Sequence, residues 1–554
     1  MALATVTALK QQGSELFNKR DPLLSLWQEC AENFYPERAD FTISRNLGHD
    51  MAAHLTSSYP LIVRRDLGNA FSSMLRPTAK EWFKLTTKRP DKEDTLAKQW
   101  LEWITGLMKS AMYDRDSQFT RATKEGDHDF AAFGQAVLSV ELNRKGNGLL
   151  YRCWHLRDVA WAEDAEGRIS TVYRRWKPTV RDLCALFPKT VHPDVRERLA
   201  KTPFAEINAW HIVMPAEDYA TLDGAKKLRT PWVSVFLDVD HDHVLATTGM
   251  WTRMYIIPRW QTVSGSQYAH SPAVVASLPD ARTLQAMALT LMEAGEKAVN
   301  PPMLAVQEAI RGDLAIFAGG VTWVDAEYDE RLGEVLRPMT NDKGGLSFGM
   351  ESVQDLREQL SGAWFLNKLN LPPVGGPDMT AYEVGQRVQE FIRNALPLFE
   401  PMEYDYNGQL CDMTLEILLR DPSIKRTIPA SLAGVDTEFR FESPLHEATE
   451  KLKLGKFMEA QQVLANAIQL DPGVRHLVDG LKATRDVLGA TVPASWLRTE
   501  GEVDKLTAAD EQAVAAQQQL QTMQQGANVA ATLAKASPAG AGPLAQPPGA
   551  GMGA

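Results

Sequence analysis

Cysteine is scarce in this sequence of 554 residues, and it never occurs in the paired spacing that is typical of disulfide frameworks or structural zinc sites. The four cysteines lie far apart, and no CxxC pair occurs. Disulfide frameworks and structural zinc sites both depend on paired thiols, so neither is expected. We expect small, mostly buried cysteines in a reducing compartment, at positions Cys30, Cys153, Cys184 and Cys411.

Long apolar runs are also missing. No apolar stretch approaches the roughly 18 residues of a membrane span, and the opening MALATVTALKQQGSELF lacks the basic region and apolar core of a signal peptide. The motifs GxxxxGK[ST], GxSxG and HExxH are absent as well. We therefore expect a soluble protein, made in the cytoplasm, that needs no cofactor and has no P-loop ATPase activity of its own.

Basic charge is in short supply, with 59 Lys and Arg against 70 Asp and Glu, a net charge of −11 and a pI of about 5.6. Proteins that wrap nucleic acid tightly carry clustered Lys and Arg. The balance therefore argues against tight wrapping, but it is compatible with a surface past which DNA slides.

The hydrophobic periodicity predicts an α+β fold of two to four domains. Helices are predicted over residues 1–36, about 50–75, 92–133, 277–299, 350–370 and 443–510. Within the first, Asp21 is interpreted as a cap and Pro22 as the first helical position, and Pro279 suits the first turn of the fourth. Six segments between residues 135 and 260 alternate like strands: AVLSVELN, LLYRCWHL, STVYRRWK, INAWHIVMP, VSVFLDVD and VLATTGMW.

One polar cluster has metal-ligand chemistry. The stretch LDVDHDHVL holds Asp238, Asp240, His241, Asp242 and His243, and carboxylates with imidazoles can bind divalent metals. A metal-dependent hydrolase is therefore one alternative. Because strand-like segments flank the cluster and Asp is a turn former, we favour a hairpin turn.

The most basic run is YRRWKPTVRD over residues 173–182. Its cations could contact an acidic partner, but we favour a salt-bridged strand at the edge of a sheet. An acidic run, DAEYDERLGE, holds five carboxylates against one Arg over residues 325–334. We interpret it as a solvated loop that would also repel phosphates.

A Pro/Gly loop, NLPPVGGPD, precedes a long amphipathic helix. Thr380 and Glu383 have the spacing of a capping box, so the helix should begin there. The prolines of the loop restrict the backbone, whereas the pair Gly375-Gly376 frees it. We expect a mobile loop anchored by a stable helix.

Six segments, in this order, resemble the head-to-tail connector, or portal, proteins of short-tailed bacteriophages. They are LWQECAENFYP, RDLGNAFSSMLRPTAKEWFKLT, WHIVMP, the stretch from IIPRW to NPPML, the stretch from MTAYEV to YNGQL, and VPASWLRTEGEV. The resemblance implies a noncatalytic ring, usually of twelve subunits, at one vertex of the capsid in a podovirus-type virion. Double-stranded DNA would pass without sequence specificity through its axial channel.

The resemblance implies a subunit with a wing, a stem of paired helices, a small α/β clip and a helical crown. Carried over to this sequence, it implies the following segments: wing, 1–270; first stem helix, 271–299; clip, 300–345; second stem helix, 346–370; tunnel loop, 371–378; a long helix returning to the wing, 379–440; crown, 441–510; and an Ala/Gln-rich helix with a disordered Gly/Pro tail, 511–554.

The same resemblance implies the contacts of the ring. The terminase large subunit and later the tail adaptor and tail proteins would dock on the clip, with expected contact residues Asp325, Glu327, Asp329, Glu330 and Arg331. The DNA channel would be lined at the tunnel loop by Lys368, Asn370, Pro372, Pro373, Gly375, Gly376 and Asp378. The major capsid and scaffolding proteins are further implied partners, with no membrane involved. Another virion ring, such as a tail adaptor, is the remaining alternative.

Overall fold

The computed structural model describes most of the first 300 residues and several later stretches. Described are residues 3–44, 46, 48–78, 81–88, 94–225, 227–299, 301–305, 310, 323, 336–338, 344–369, 402–421 and 428–441, with separate helical residues between 503 and 524. The chain divides into two compact units. The first unit comprises 1–88, 103–427 and 436–463, and the second comprises 89–102, 428–435 and 464–554.

The described elements mix helices and strands, as the sequence predicts. The helices are α1 (Leu3–Phe34), α2 (Tyr59–Leu75), α3 (Thr95–Met112), α4 (Phe119–Phe133), α5 (Val180–Leu186), α6 (Pro193–Lys201), α7 (Ala216–Ala220), α8 (Pro272–Val299), α9 (Gly344–Ala363), α10 (Leu366–Leu369) and α11 (Gln409–Leu419). A π-helical turn, Glu403–Gly408, leads directly into α11. None of the helices in the described part is long and apolar enough to cross a membrane.

The strands form small antiparallel sheets. They are β1 (Phe83–Thr87), β2 (Val137–Leu142), β3 (Leu149–Trp154), β4 (Val159–Glu163), β5 (Ile169–Trp176), β6 (Ala209–Pro215), β7 (Trp232–Asp238), β8 (His243–Met250), β9 (Tyr255–Ile256), β10 (Gln261–Thr262), β11 (Ala269–His270), β12 (Met303–Ala305), β13 (Leu336–Pro338) and β14 (Thr437–Phe441). The largest sheet has the order β4-β5-β6-β7-β8, and a second has the order β3-β2-β9. All six predicted strands are confirmed.

Helix α1 runs through Pro22 without a break, so the predicted start at Asp21 is wrong. An interior proline removes a main-chain hydrogen bond and costs about 3 kcal/mol. Burial of large apolar side chains before and after the proline outweighs this cost, because each contributes roughly 2 kcal/mol. Before the proline, Phe17 is buried against the five-stranded sheet, and after it Trp27 and Phe34 enter the main core.

A glycine lets α1 lie close against the five-stranded sheet. A Cβ added at Gly13 would meet the rings of Trp210 on β6 and Tyr173 on β5 at less than 3 Å. Arg20 fixes the same helix further along, where it is buried and donates to the carbonyl oxygens of Leu156 and Val159 at 3.2 and 3.0 Å. The helix is therefore tied to the sheet by close packing and by hydrogen bonds.

The basic run that includes β5 does not lie at a sheet edge, because β5 is bonded to strands on both sides. The favoured interpretation of a salt-bridged edge is wrong. Arg174 is buried, stands 3.8 Å from the Trp154 ring centroid and donates to the Tyr255 hydroxyl at 2.9 Å. Tyr255 in turn faces His211 Nδ1 at 2.6 Å, and His211 Nε2 faces Ser234 Oγ at 2.8 Å. Burial lowers the pKa of His211 well below its usual range, so this network holds a neutral imidazole.

A buried ion pair joins three parts of the main core. Arg76, just after α2, contacts Asp127 on α4, and both side chains are almost fully buried. Arg76 also donates to Asn407 Oδ1 at 2.7 Å and lies 4.7 Å from the Tyr406 ring centroid. Burial disfavours the charged guanidinium, but Asp127 outweighs that effect and raises the pKa of Arg76. The turn Glu403–Gly408 before α11 is therefore held to the junction of α2 and α4 by a hydrogen bond and a cation–π contact with Arg76.

Replacing Arg76 by Met should lower the free energy of unfolding by about 3–5 kcal/mol, because Asp127 would remain buried without a cation. Urea denaturation followed by tryptophan fluorescence measures the change. The control Arg65→Met removes an exposed cation beside Asp66 and should cost less than about 1 kcal/mol.

The double variant Arg76→Met/Asp127→Leu tests the cause of that loss. If the loss comes from the uncompensated carboxylate, the double variant should recover part of the stability, because apolar side chains of similar size can replace a buried ion pair. A double variant that is less stable than Arg76→Met would contradict this explanation.

Candidate functional site

Helix α8 is anchored in the core by its first half and is more exposed in its second half. It begins at Pro272, so the predicted start near residue 277, with Pro279 in the first turn, is wrong, and Pro279 lies inside the helix. The residues that hold its first half are buried, namely Ala273, Val274, Ser277, Leu278, Ala281 and Leu284. Beyond them, Gln285 Oε1 accepts from the main-chain N–H groups of Thr56 and Ser57 at 2.8 and 2.7 Å.

Helix α9 packs antiparallel along α8. Near the far end of the pair, a Cβ added at Gly349 would meet Leu291 Cδ2 at 2.5 Å. At the near end, the fully buried Trp364 donates from Nε1 to Ser277 Oγ at 2.9 Å. Gly349 and Trp364 are fifteen residues apart, and their partners Leu291 and Ser277 are fourteen residues apart in the opposite direction. The two segments therefore keep a regular antiparallel register.

Strands β12 and β13 continue the same register beyond the helices. Met303 pairs with Pro338 and Ala305 with Leu336. The described residues 272–299, 301–305, 336–338 and 344–365 therefore form two antiparallel arms that leave the core side by side, and we call these arms the stem hairpin. The 28 residues of α8 alone span about 42 Å at 1.5 Å per residue.

The exposed side of α8 is divided into two flanks. Leu289, Met292 and Val299 are exposed by 47%, 57% and 88%, and their spacing places them on one flank of the helix, which the exposed Glu296 interrupts. Thr290 and Glu293 lie on the neighbouring flank, which is polar. The apolar flank is exposed in the single chain, as an interface between protein chains would be.

Helix α9 adds an acidic ridge to the stem hairpin. Glu351, Asp355 and Glu358 follow each other at spacings of four and three, and all are exposed or half-buried at the surface. In total, α8 and α9 carry six carboxylates against three basic side chains. Of the three, Arg282 pairs with Glu29 and Arg357 lies 5.7 Å from the Tyr59 ring centroid.

The second helix of the stem hairpin is shorter than predicted. It ends at Ala363, and the chain turns at Phe365, which has φ = +59°, before the four-residue helix α10. The fully buried Trp364 and the turn at Phe365 end the helix at the core, so the predicted continuous helix to residue 370 is wrong. Lys368 lies in α10.

The other predicted site residues lie outside the described part of the chain. They are the tunnel-loop residues Asn370, Pro372, Pro373, Gly375, Gly376 and Asp378, the capping-box residues Thr380 and Glu383, and the clip residues Asp325, Glu327, Asp329, Glu330 and Arg331. What the structure does describe is the pair of helices, α8 and α9, on either side of the segment that the resemblance assigns to the clip.

The cluster at Asp238–His243 forms the predicted hairpin turn between β7 and β8. Asp242 in the turn has φ = +49°, and Asp238 Oδ1 accepts from the main-chain N–H groups of Asp240 and His241 at 3.1 and 3.2 Å. The carboxylate of Asp238 thus shapes the turn, whereas that of Asp240 accepts from the main-chain N–H and the side-chain amide of Asn208, at 3.0 Å each. The structure brings a further pair, His192 and Asp194, next to His241, which sequence reasoning missed.

Comparison with known proteins gives consistent results. The sequence model of the family described as bacteriophage head to tail connecting protein matches residues 6–497. A probable portal protein of Bordetella phage BPP-1 is 27% identical over 448 residues, which is 79% of this chain and 79% of that protein. A portal protein of Salmonella phage epsilon15 is 22% identical over 486 residues, 85% of each chain. A solved virion of a native gene transfer agent particle aligns with a TM-score of only 0.34 and 10% identity, over 73% of this chain and 86% of that one, which carries no argument about the fold.

The close contact at Gly349 should set the spacing of the stem hairpin. Gly349→Leu should force Leu291 and the two helices apart and lower the free energy of unfolding by about 1–3 kcal/mol. The control Gly295→Leu lies on α8, where an added Cβ meets nothing within 4 Å, and should be neutral or slightly stabilising. Thermal unfolding and limited proteolysis of the hairpin measure both. Equal effects of the two substitutions would contradict close packing at Gly349.

Proposed function

The chain belongs to the family of bacteriophage head-to-tail connecting proteins, whose function is that of a phage portal, and we propose that its copies close into a ring with the stem hairpins around a DNA channel. The observation that supports this proposal is the stem hairpin itself. Among the described residues it is anchored to the core at its base, and one flank of its first helix carries exposed apolar side chains. A single chain has no use for such a flank, whereas a neighbouring copy would cover it.

A ring requires each subunit to use two different faces, because a self-complementary contact would produce a closed dimer. We propose that the apolar flank of α8, formed by Leu289, Met292 and Val299, is one of these faces. Each fully buried side chain of this size contributes roughly 1.5–3 kcal/mol. Repeated around the ring, usually of twelve copies in this family, the contribution would be large.

The charge of the stem hairpin suits a channel through which DNA slides. Phosphates bind tightly where Lys and Arg neutralise them and release counterions. The acidic ridge of Glu351, Asp355 and Glu358 would instead repel the duplex and keep it away from the wall. We propose that this ridge faces the channel, so that packaging and ejection meet little resistance.

The remaining partners are assigned to two segments of the chain, the clip and the wing. We propose that the clip, at the tip of the stem hairpin, contacts the terminase large subunit during packaging and the tail adaptor afterwards. The wing would contact the major capsid and scaffolding proteins, at one vertex of the virion. The protein would be noncatalytic, with the ATPase of the packaging motor on a separate chain.

Charge placed on the apolar flank should block assembly. The double variant Leu289→Glu/Met292→Glu should reduce the fraction of chain in rings at least tenfold, since a buried unpaired carboxylate opposes association and tenfold corresponds to about 1.4 kcal/mol. Analytical ultracentrifugation and negative-stain microscopy measure the assembly, which for twelve copies of a 61.5 kDa chain has a mass of roughly 0.7 MDa.

The matched control is Thr290→Glu, which adds a carboxylate to the adjacent position on the polar flank of the same helix. It should leave ring formation unchanged. The proposal fails if the wild-type chain stays monomeric at high concentration, or if the double variant assembles as well as Thr290→Glu does.

The proposed tunnel loop, residues 371–378, is tested separately from assembly. Replacing Gly375-Gly376 by Ala-Ala should restrict its backbone, and so reduce DNA packaging or retention while rings still form. Particle yield and DNA content per particle are the measurements. Normal DNA content in the variant would contradict a role for the glycine pair in gating.

A further inference from the structure

Three potential metal ligands meet on the surface of the five-stranded sheet, far along the chain from the stem hairpin. His192 precedes α6, Asp194 lies in its first turn, and His241 lies in the turn between β7 and β8. Each offers one ligand atom such that all three atoms lie within 4.8 Å of one another. The site is half-buried at the two histidines and exposed at the aspartate, so solvent and ions reach it.

A buried carboxylate orients one of these histidines. Asp238 is fully buried, and its Oδ2 lies 2.8 Å from His241 Nδ1. Since a carboxylate only accepts, Nδ1 carries the proton and the lone pair of Nε2 is left for another partner. A histidine held in this way by a carboxylate is the usual arrangement behind a metal-bound imidazole, because it fixes the tautomer and the ring.

The second histidine uses its lone pair in a weak hydrogen bond. His192 Nδ1 accepts from the main-chain N–H of Asp194 at 3.4 Å, which is longer than an ordinary hydrogen bond. The same Nδ1 lies 3.8 Å from Asp194 Oδ2. Because the hydrogen bond from Asp194 is long and weak, turning the His192 ring out of it would cost little.

We propose that His192, Asp194 and His241 bind one first-row divalent cation of the zinc type, with water as the fourth ligand. Two imidazoles with one carboxylate favour zinc and similar transition metals over magnesium or calcium, which prefer oxygen ligands. The ion would link α6 to the β7–β8 hairpin and so stabilise this part of the subunit. The site is structural, independent of the proposed channel, and involves no hydrolysis.

Metal binding should change the arrangement of the two rings. His192 and His241 are now stacked, with centroids 4.8 Å apart and planes inclined by 19°. A metal lies in the plane of each imidazole that binds it, so stacked rings cannot share one. Because Asp238 holds His241, the His192 ring is the one that must turn.

Zinc titration of the full-length protein tests the site. We expect wild type to bind one more equivalent of Zn²⁺ than Asp194→Asn or His241→Ala, and to gain thermal stability on binding that these variants lose. Asp194 is exposed, so its substitution should not impair folding. Substitution of Asp238 by Asn, which removes the carboxylate that orients the His241 ring, should weaken the site by 10–100-fold.

Spectroscopy separates this site from adventitious binding elsewhere. Cobalt(II) in the site should give the intense visible bands of a four-coordinate ion, and Asp194→Asn should abolish them. The control is His49→Gln, an exposed histidine outside the cluster, which should bind and absorb as wild type does. If wild type and Asp194→Asn bind the same number of zinc ions with the same affinity, or if His49→Gln removes the signal, the proposal is wrong.

Discussion

The stem hairpin depends on one constraint, which is that the chain must leave the core and return to it at the same place. The hydrogen bond from Trp364 to Ser277 closes the base of the hairpin, and Trp364 also packs against Phe34 of α1, with ring centroids 5.0 Å apart. Every contact further out follows from this closure, because an antiparallel register that is fixed at one end is fixed along its length. The contact of Gly349 with Leu291 and the pairing of Met303 with Pro338 obey it.

A hairpin anchored at one end places its surfaces in different surroundings. In the first half of α8, the core covers one face of the helix, and α9 covers the same face further out. The outward side remains, and there the helix separates apolar residues such as Met292 from polar ones such as Glu293. Such a division is needed only if the two flanks meet different partners. A neighbouring subunit and a water-filled channel would be two such partners.

Local patterns in the sequence predict the elements well and their ends poorly. The six predicted strands could be recognised from β-branched and aromatic residues between turn residues, although β2 and β6 are buried on both faces. Strand β4 was missed, since VAWAE is only five residues long and two of them are alanine, which is depleted in strands. Pro22 and Pro279 were misread as helix starts, because proline is indeed favoured there. Only the packing on both sides of each proline, which is tertiary information, shows that the helices continue.

For the candidate sites too, residues that are consecutive in the sequence could be predicted, whereas residues that only the fold brings together could not. The turn at Asp238–His243 could be predicted because its residues are consecutive. The approach of His192 could not, since 49 residues and two strands separate it from His241. A motif of fixed spacing cannot reveal ligands that come together only because the strands between them fold back on one another. The stem hairpin was accessible through the family resemblance, whereas its register and its two flanks required coordinates.

Several arginines of the body are buried and are therefore withdrawn from the surface. Arg76 is paired with Asp127 in the core, and Arg38 makes two bonds of 2.9 Å to the buried Asp129. Arg64 and Arg174 are buried against aromatic rings. Guanidinium groups are the side chains best suited to bind phosphate, and here several of them are held inside by carboxylates and rings. Among the described residues the buried acids Asp127, Asp129, Asp238 and Glu403 equal the buried arginines Arg20, Arg64, Arg76 and Arg174 in number. Burial therefore leaves the acidic balance of the chain unchanged at the surface, while it removes four of the guanidinium groups that could bind phosphate.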